Sequence, residues 1–329
     1  MRIMGLYGFS PKLPTFRDRT PQEMAAMLQG WGAQVVFGGY DDPAFLAAAH
    51  EAGLQVMAEF GCFVGEQWWE RYPQSRPVTA AGDPMPKQEG YAGVNPTDPN
   101  VRRERLDALM ALVSRAEIDG VWLDFIRWPS RWESPRPTLY QTSFDPDTLA
   151  RFLADTGMSL PADVSGAPAA RWIASCHAAE WSAWRCAQIT SFVAQAAQIV
   201  RDHARRPCKL GLFAVPWRRN DFGGALTGIM GQDLAALAAH VDVISPMVYH
   251  RMCGQPVSWI AEVTAEHHAL TGKQIWPVIQ TMSDPDTLNA TELRAAMATA
   301  QTAGGSTGVL LFTLKALLDE GKIGVLEER

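Results

Sequence analysis

Residues Gly120–Trp128 read GVWLDFIRW. The run is short, rich in β-branched and aromatic side chains, and preceded by Asp119, which is how a strand buried in a parallel sheet looks. Seven further runs have the same character. Three precede it: Arg2–Phe9 (RIMGLYGF), Gln34–Tyr40 (QVVFGGY) and Leu54–Phe63 (LQVMAEFGCF). Four follow: Lys209–Trp217 (KLGLFAVPW), Val241–His250 (VDVISPMVYH), Gln274–Met282 (QIWPVIQTM) and Gly308–Lys315 (GVLLFTLK). Ala-rich segments with helical periodicity separate them, most clearly Pro21–Trp31, Pro43–Ala52, Asn100–Ile118, Gln232–His240, Trp259–Leu270 and Ala290–Ala303. Thr20-Pro21 and Asp42-Pro43 each place a capping residue before a proline at the first helical position. Strict β-α alternation predicts a parallel sheet with right-handed crossovers. Eight units with no dividing linker predict one (β/α)8 TIM barrel domain over residues 1–329. A doubly wound open sheet is the alternative, but the Gly-rich turn that would cradle a dinucleotide after the first strand is missing.

Two insertions break the regular spacing. Val64–Pro99 follows strand three, and Pro129–Gly166 follows strand four, ahead of a long helical stretch from about Ala169 to His203. Both leave the C-terminal ends of strands, the face on which barrels build their sites.

The 329 residues are 47% hydrophobic and 19% charged, with a formal net charge of -6. A net acidic chain without a basic stripe predicts no nucleic-acid partner. No apolar run approaches the ~18 residues of a membrane span, so no membrane partner is expected. Five cysteines, an odd number without CxxC spacing, read as free thiols in a reducing compartment. With no signal peptide visible, the expected location is cytoplasmic, or exported if a leader was trimmed. Seven histidines form no HxH or HExxH spacing, so neither a metal nor a cofactor is expected. Twelve tryptophans exceed ordinary core needs and suit a surface that stacks on flat ligand faces.

Side chains alternate across a strand, so parity selects what faces the lumen. Asp124 shares parity with Trp122, Ile126 and Trp128, and Glu59 with Met57 and Gln55. Each is an acid inside an apolar run, costly to bury without a partner. Asp124 is read as functional, against a structural pairing with Arg127; for Glu59 a buried salt bridge to a neighbouring strand is the alternative. Adjacent parallel strands lie roughly 4.8 Å apart, so the two acids can converge. Converging carboxylates split their pKa values into an acid and a base or nucleophile, the minimum for cleaving a glycosidic bond. A gap of roughly 5–5.5 Å would favour retention and one of roughly 6.5–9.5 Å inversion. Tyr249 and Met247 share parity at the end of strand six; Tyr249 is read as a substrate contact and Met247 as packing. His250, next in the chain, is a candidate proton shuttle. Gln280 can bond a hydroxyl-rich ligand. Asp221 is a further candidate acid, whereas Asp284 and Asp286 are read as turn or capping residues. Trp217 and Trp128 at strand ends, with Trp68, Trp69 and Trp132 in the insertions, could form a stacking platform. Lys315, ending strand eight, would serve an aldolase or lyase if desolvated.

DGVWLDFIRWP (Asp119–Pro129) resembles the DGIHLDYIRYP signature of the glycoside hydrolases of the glycosyl-hydrolase-like family 10 type. Asn95–Val113 (NPTDPNVRRERLDALMALV), DVISPMVYH and PVIQ (Pro277–Gln280) resemble that family's segment before strand four, its strand six and its strand seven. The resemblance implies a (β/α)8 barrel acting on or binding carbohydrate, with Asp124 as the key acid and Arg127, Tyr249 and Gln280 at the site. Family 18 chitinases are a more distant likeness: their strand-four pattern is DG-x-D-x-D-x-E, where this chain has Trp122 for the first internal Asp and Ile126 for the catalytic Glu. A mechanism relying on that Glu is therefore not carried over.

The expectation is a glycoside hydrolase for an oligo- or polysaccharide. Asp124 is the expected nucleophile or base, Glu59 the first candidate acid, with Asp221 and His250 behind it. Arg127, Trp128, Tyr249, Gln280, Trp217, Tyr7 and Asn95 form the expected substrate-binding set. The alternatives are a catalytically silent saccharide-binding barrel and the Lys315 chemistry.

Overall fold

The computed structural model describes residues 3–88, 90–161, 164 and 166–326. Arg2, the predicted start of strand one, lies outside the described residues. Nine parallel strands form one curled sheet: β1 (Ile3–Phe9), β2 (Val35–Gly38), β3 (Gln55–Gly61), β4 (Gly120–Asp124), β5 (Lys209–Ala214), β6 (Val243–Pro246), β7 (Gln274–Ile275), β8 (Val278–Gln280) and β9 (Gly308–Phe312). Their order is β7-β6-β5-β4-β3-β2-β1-β9-β8.

The count of nine and the expected eight are reconciled at Trp276-Pro277. Proline has no amide to donate, so the seventh run divides. Its first half pairs with β6, and its second half pairs with β9. Bridges Met247↔Val278 and Ile275↔Ser306 join the two ends of the sheet, and the barrel closes with the predicted topology.

The expected caps are present. Thr20 accepts from the Glu23 amide in a complete capping box, and Asp42 accepts from the amides of Ala44 and Phe45. Several predicted boundaries move. The helix expected over Gln232–His240 spans only Leu234–Ala238, because the buried Gln232 side chain bonds the Val215 amide and the Ile126 carbonyl. The long stretch after strand four is two helices, Gly166–Cys176 and Ala178–His203, parted at His177.

The lumen is filled by aromatic rings. Trp122 stacks on Trp276 at 5.2 Å and meets the edge of Phe37, and its indole donates to Ser245 Oγ at 2.9 Å. Gly211 makes room for it: a Cβ there would lie 2.2 Å from the Trp122 ring. The tryptophan excess is thereby explained as packing. Trp68, Trp122, Trp128, Trp132, Trp181, Trp184, Trp217, Trp259 and Trp276 are all buried, so the expected tryptophan platform on the surface does not form. All five cysteines are unpaired. Among the described residues, no helix is long and apolar enough to cross a membrane.

Candidate active site

β4 ends at Asp124 because Phe125 takes left-handed backbone, φ 49°. That conformation is costly for a non-glycine residue. The Phe125 amide donates to Asp124 Oδ1 at 2.6 Å, which holds the carboxylate at the C-terminal rim. On β3, Glu59 stands opposite Trp122, two residues below Asp124, which is level with Gly61. A register shift between Tyr7 and Phe9 marks a bulge at the top of β1, where bulges re-aim side chains. Tyr7 Oη donates to Glu59 Oε2.

Glu59 and Asp124 share a side-chain hydrogen bond. Burial, the Asp124 charge and that bond together push Glu59 up to about 7. Burial also raises Asp124, against the Arg127 guanidinium, the Phe125 amide and the bond from Glu59, which favour its anion. The bond thus has a direction: Glu59 carries the proton and Asp124 accepts it.

Both acids line a cavity of about 740 Å³, within the range of small-molecule sites. An aromatic belt lines it: Tyr249 stacks on Phe312 (5.2 Å) and Phe312 meets Tyr7 (4.8 Å), with the buried Trp132 stacked behind Tyr249 (5.6 Å). Burial first, then the charge of Asp124, holds the Tyr249 phenol well above its ordinary range, so it remains a donor. Arg127 is 2% exposed, its Nη1 is 3.9 Å from Asp124 Oδ1, and its guanidinium lies over Phe125 and Tyr91. Its Nε and Nη1 have no hydrogen-bond partner in the protein, an unusual state for buried donors.

The remaining expected residues separate from this cluster. His250 is 1% exposed and bonds Glu292 Oε1 at 2.9 Å, outside the cavity lining. Successive tight turns after Pro246, in which each of the Val248, Tyr249 and His250 amides bonds the carbonyl two residues back, direct Tyr249 inward and His250 into the helix layer. Asp221 pairs with Arg218 at 3.2 Å and lines a separate cavity, as does Trp217. Gln280 is buried and tethers the Met252 amide and the Met282 and Asp284 carbonyls; it braces the rim instead of lining it. Trp128 is buried, with Arg185 over its ring and its indole on the Arg185 carbonyl. Asn95 ties Thr97 to Thr148 and Asp145, away from the mouth. Lys315 lies on a helix, Leu314–Asp319, exposed and paired with Asp319, so it lacks the desolvation that a Schiff-base role needs.

Sequence reasoning missed Tyr91, Phe125, Arg131, Glu133, Asp284 and Phe312, which all line the cavity, and it read Met247 as packing although it lines the cavity too. Tyr91 stacks on Phe125 at 5.7 Å, and burial pushes its phenol up to about 12. Glu133, from the strand-four insertion, is a third carboxylate there; its Oε2 accepts from the Trp132 amide at 3.1 Å. Among the described residues, no group of three or more His, Cys, Asp or Glu side chains could hold a metal ion.

A closed barrel with two hydrogen-bonded acids at its C-terminal mouth has the form shared by many barrel hydrolases. The chain belongs to the family described as "Putative glycosyl hydrolase domain", whose pattern matches residues 23–286. The expected family 10 type and chitinase likenesses are not what this match supports. Among solved structures, the glycoside hydrolase domain of PgaB (BpsB) from Bordetella bronchiseptica is similar at 14% identity, covering 100% of this chain and 99% of that one, with a TM-score of 0.72. The beta-galactosidase from the psychrophilic Marinomonas ef1 matches at 13% identity over 94% of this chain and 54% of its own, TM-score 0.67. The glycoside hydrolase domain of PelA from Pseudomonas aeruginosa matches at 13% identity over 96% of both chains, TM-score 0.52. At these identities the likeness is one of fold. No curated protein matches the sequence.

Proposed function

We propose that the protein hydrolyses a glycosidic bond in an oligo- or polysaccharide. The observation that carries this reading is the placing of Glu59 and Asp124 on one cavity, with Tyr7 donating to Glu59; burial and the Asp124 charge favour the proton on Glu59, while Arg127 and the Phe125 amide favour the Asp124 anion. Glu59 donates its proton to the leaving oxygen, and the Asp124 carboxylate opposes the positive charge that develops on the sugar ring. Carboxyl groups close enough to hydrogen-bond suit the closer pairing of retention better than the wider pairing of inversion. Arg127 and Tyr249 offer donors to sugar oxygens, and the aromatic belt covers the apolar ring faces.

The test is hydrolysis of a polysaccharide panel, with the anomer of the first product read by NMR. Asp124→Asn should abolish turnover while keeping the melting temperature within a few degrees. Inversion would move the base role to Glu133; equal activity in Asp124→Asn would refute the assignment.

A further inference from the structure

We propose that the substrate is a polymer, cut internally, which runs across three neighbouring cavities that share lining residues, with the Phe222 ring as its distal stacking surface; this rests on the hydrolase reading above. The catalytic cavity does not stand alone. A second cavity of about 390 Å³, between the tops of β1 and β2, shares Tyr7 and Glu59 with it. A third, of about 240 Å³, shares Ser134. Glu59 therefore borders both cavities. An enzyme that trims chain ends needs a blind pocket, whereas a groove continuing past its acid accommodates an internal segment.

The third cavity carries an aromatic side chain that folding alone would not expose. Phe222 is 48% exposed, and among the described residues only Met110 is another exposed large hydrophobic. Its backbone is left-handed, φ 49° and ψ 39°, a conformation that disfavours any side chain and concentrates at functional sites. The ring leans on the buried Trp217 at 4.8 Å. The turn beneath is fixed: the Arg218 amide donates to Asp221 Oδ2 at 2.9 Å, and Arg218 Nη1 reaches Glu262 at 2.7 Å. A supported, exposed ring at the edge of a cavity that adjoins the catalytic one at Ser134 presents a flat face to the apolar side of a pyranose.

The experiment uses chito-, cello-, xylo- and β-1,4-galacto-oligosaccharides of two to eight units, labelled at the reducing end. The expected result is internal cleavage of one series, with kcat/KM rising with chain length. Phe222→Gly should lower kcat/KM on the octamer about tenfold and leave the shortest cleaved member unaffected. Its melting temperature should not fall, because glycine relieves the left-handed strain. Phe222→Trp should restore the length dependence. Release of single terminal sugars, rates independent of length, or an unchanged octamer rate in Phe222→Gly would overturn the proposal. If no series is cut, calorimetric titration with the four octamers separates the two readings. Weaker binding by Phe222→Gly supports the stacking surface and removes the hydrolase reading, whereas equal binding, or none by the wild type, overturns the stacking surface.

Discussion

Glu59 and Asp124 hydrogen-bond across neighbouring strands although they are two residues out of register, Glu59 level with Trp122 and Asp124 level with Gly61. Both point into the lumen, so the step between them is along the barrel axis: Glu59 lies deeper and Asp124 at the rim. Burial raises both acids, and the proton falls to Glu59 because the Arg127 guanidinium and the Phe125 amide favour the Asp124 anion.

Glu59→Gln should lower activity by about 10²–10⁴-fold. Substrates with activated leaving groups should suffer least, since they need no proton. In the wild type the alkaline limb of the pH–rate profile should lie near 7, where Glu59 loses its proton, and the variant should lack it.

The same group makes stability depend on pH. Its folded pKa, about 7, is above the ordinary value of 4.5, so the folded state binds more protons between those values. Stability from this group is complete below the unfolded pKa and is lost as pH rises through the folded one. Melting temperature should fall between pH 4.5 and 7 in the wild type, and Glu59→Gln should flatten that slope. An unchanged slope in the variant would show that Glu59 is not the group responsible.

Arg127→Met should cost activity and little stability, because the buried guanidinium has donors without protein partners. Losing the cation removes the main influence lowering Asp124, so the acid limb of the rate profile should move upward. A large fall in melting temperature with an unmoved acid limb would assign Arg127 to structure.

Gly211→Ala should destabilise the fold by roughly 1–3 kcal/mol through overpacking against Trp122. Chemical denaturation measures it, and a variant as stable as the wild type would mean that the lumen can repack.

Thiol titration of the denatured, unreduced protein should find all five cysteines. Finding one would mean two disulfides.

The barrel was legible because each strand is a short apolar run set off by turn residues and separated from the next by helical periodicity. The ends of strands were not, since they are decided by single residues: left-handed Phe125, and Pro246 and Pro277 without amides. Parity found Glu59, Asp124 and Tyr249, because alternation is a local rule. It could not find Tyr91 or Glu133, which come from insertions whose course is set by tertiary contacts. His250 was chosen for its titration range, and the tight turns beyond Pro246 send it away from the mouth. The tryptophans misled because composition does not distinguish a filled lumen from a stacking surface.

The divided seventh strand has a consequence for motion. A ring of strands opens first at its weakest joint, and between β6 and β8 that joint is one bridge, Met247↔Val278. Backbone amides along this seam should exchange with solvent sooner than those of the continuous β3–β4 ladder. Met247 and Tyr249 lie on one side of the seam, and Phe312, carried by β9 next to β8, on the other. A barrel that breathes there would change the width of its own entrance while the ladder bearing Glu59 and Asp124 stays shut.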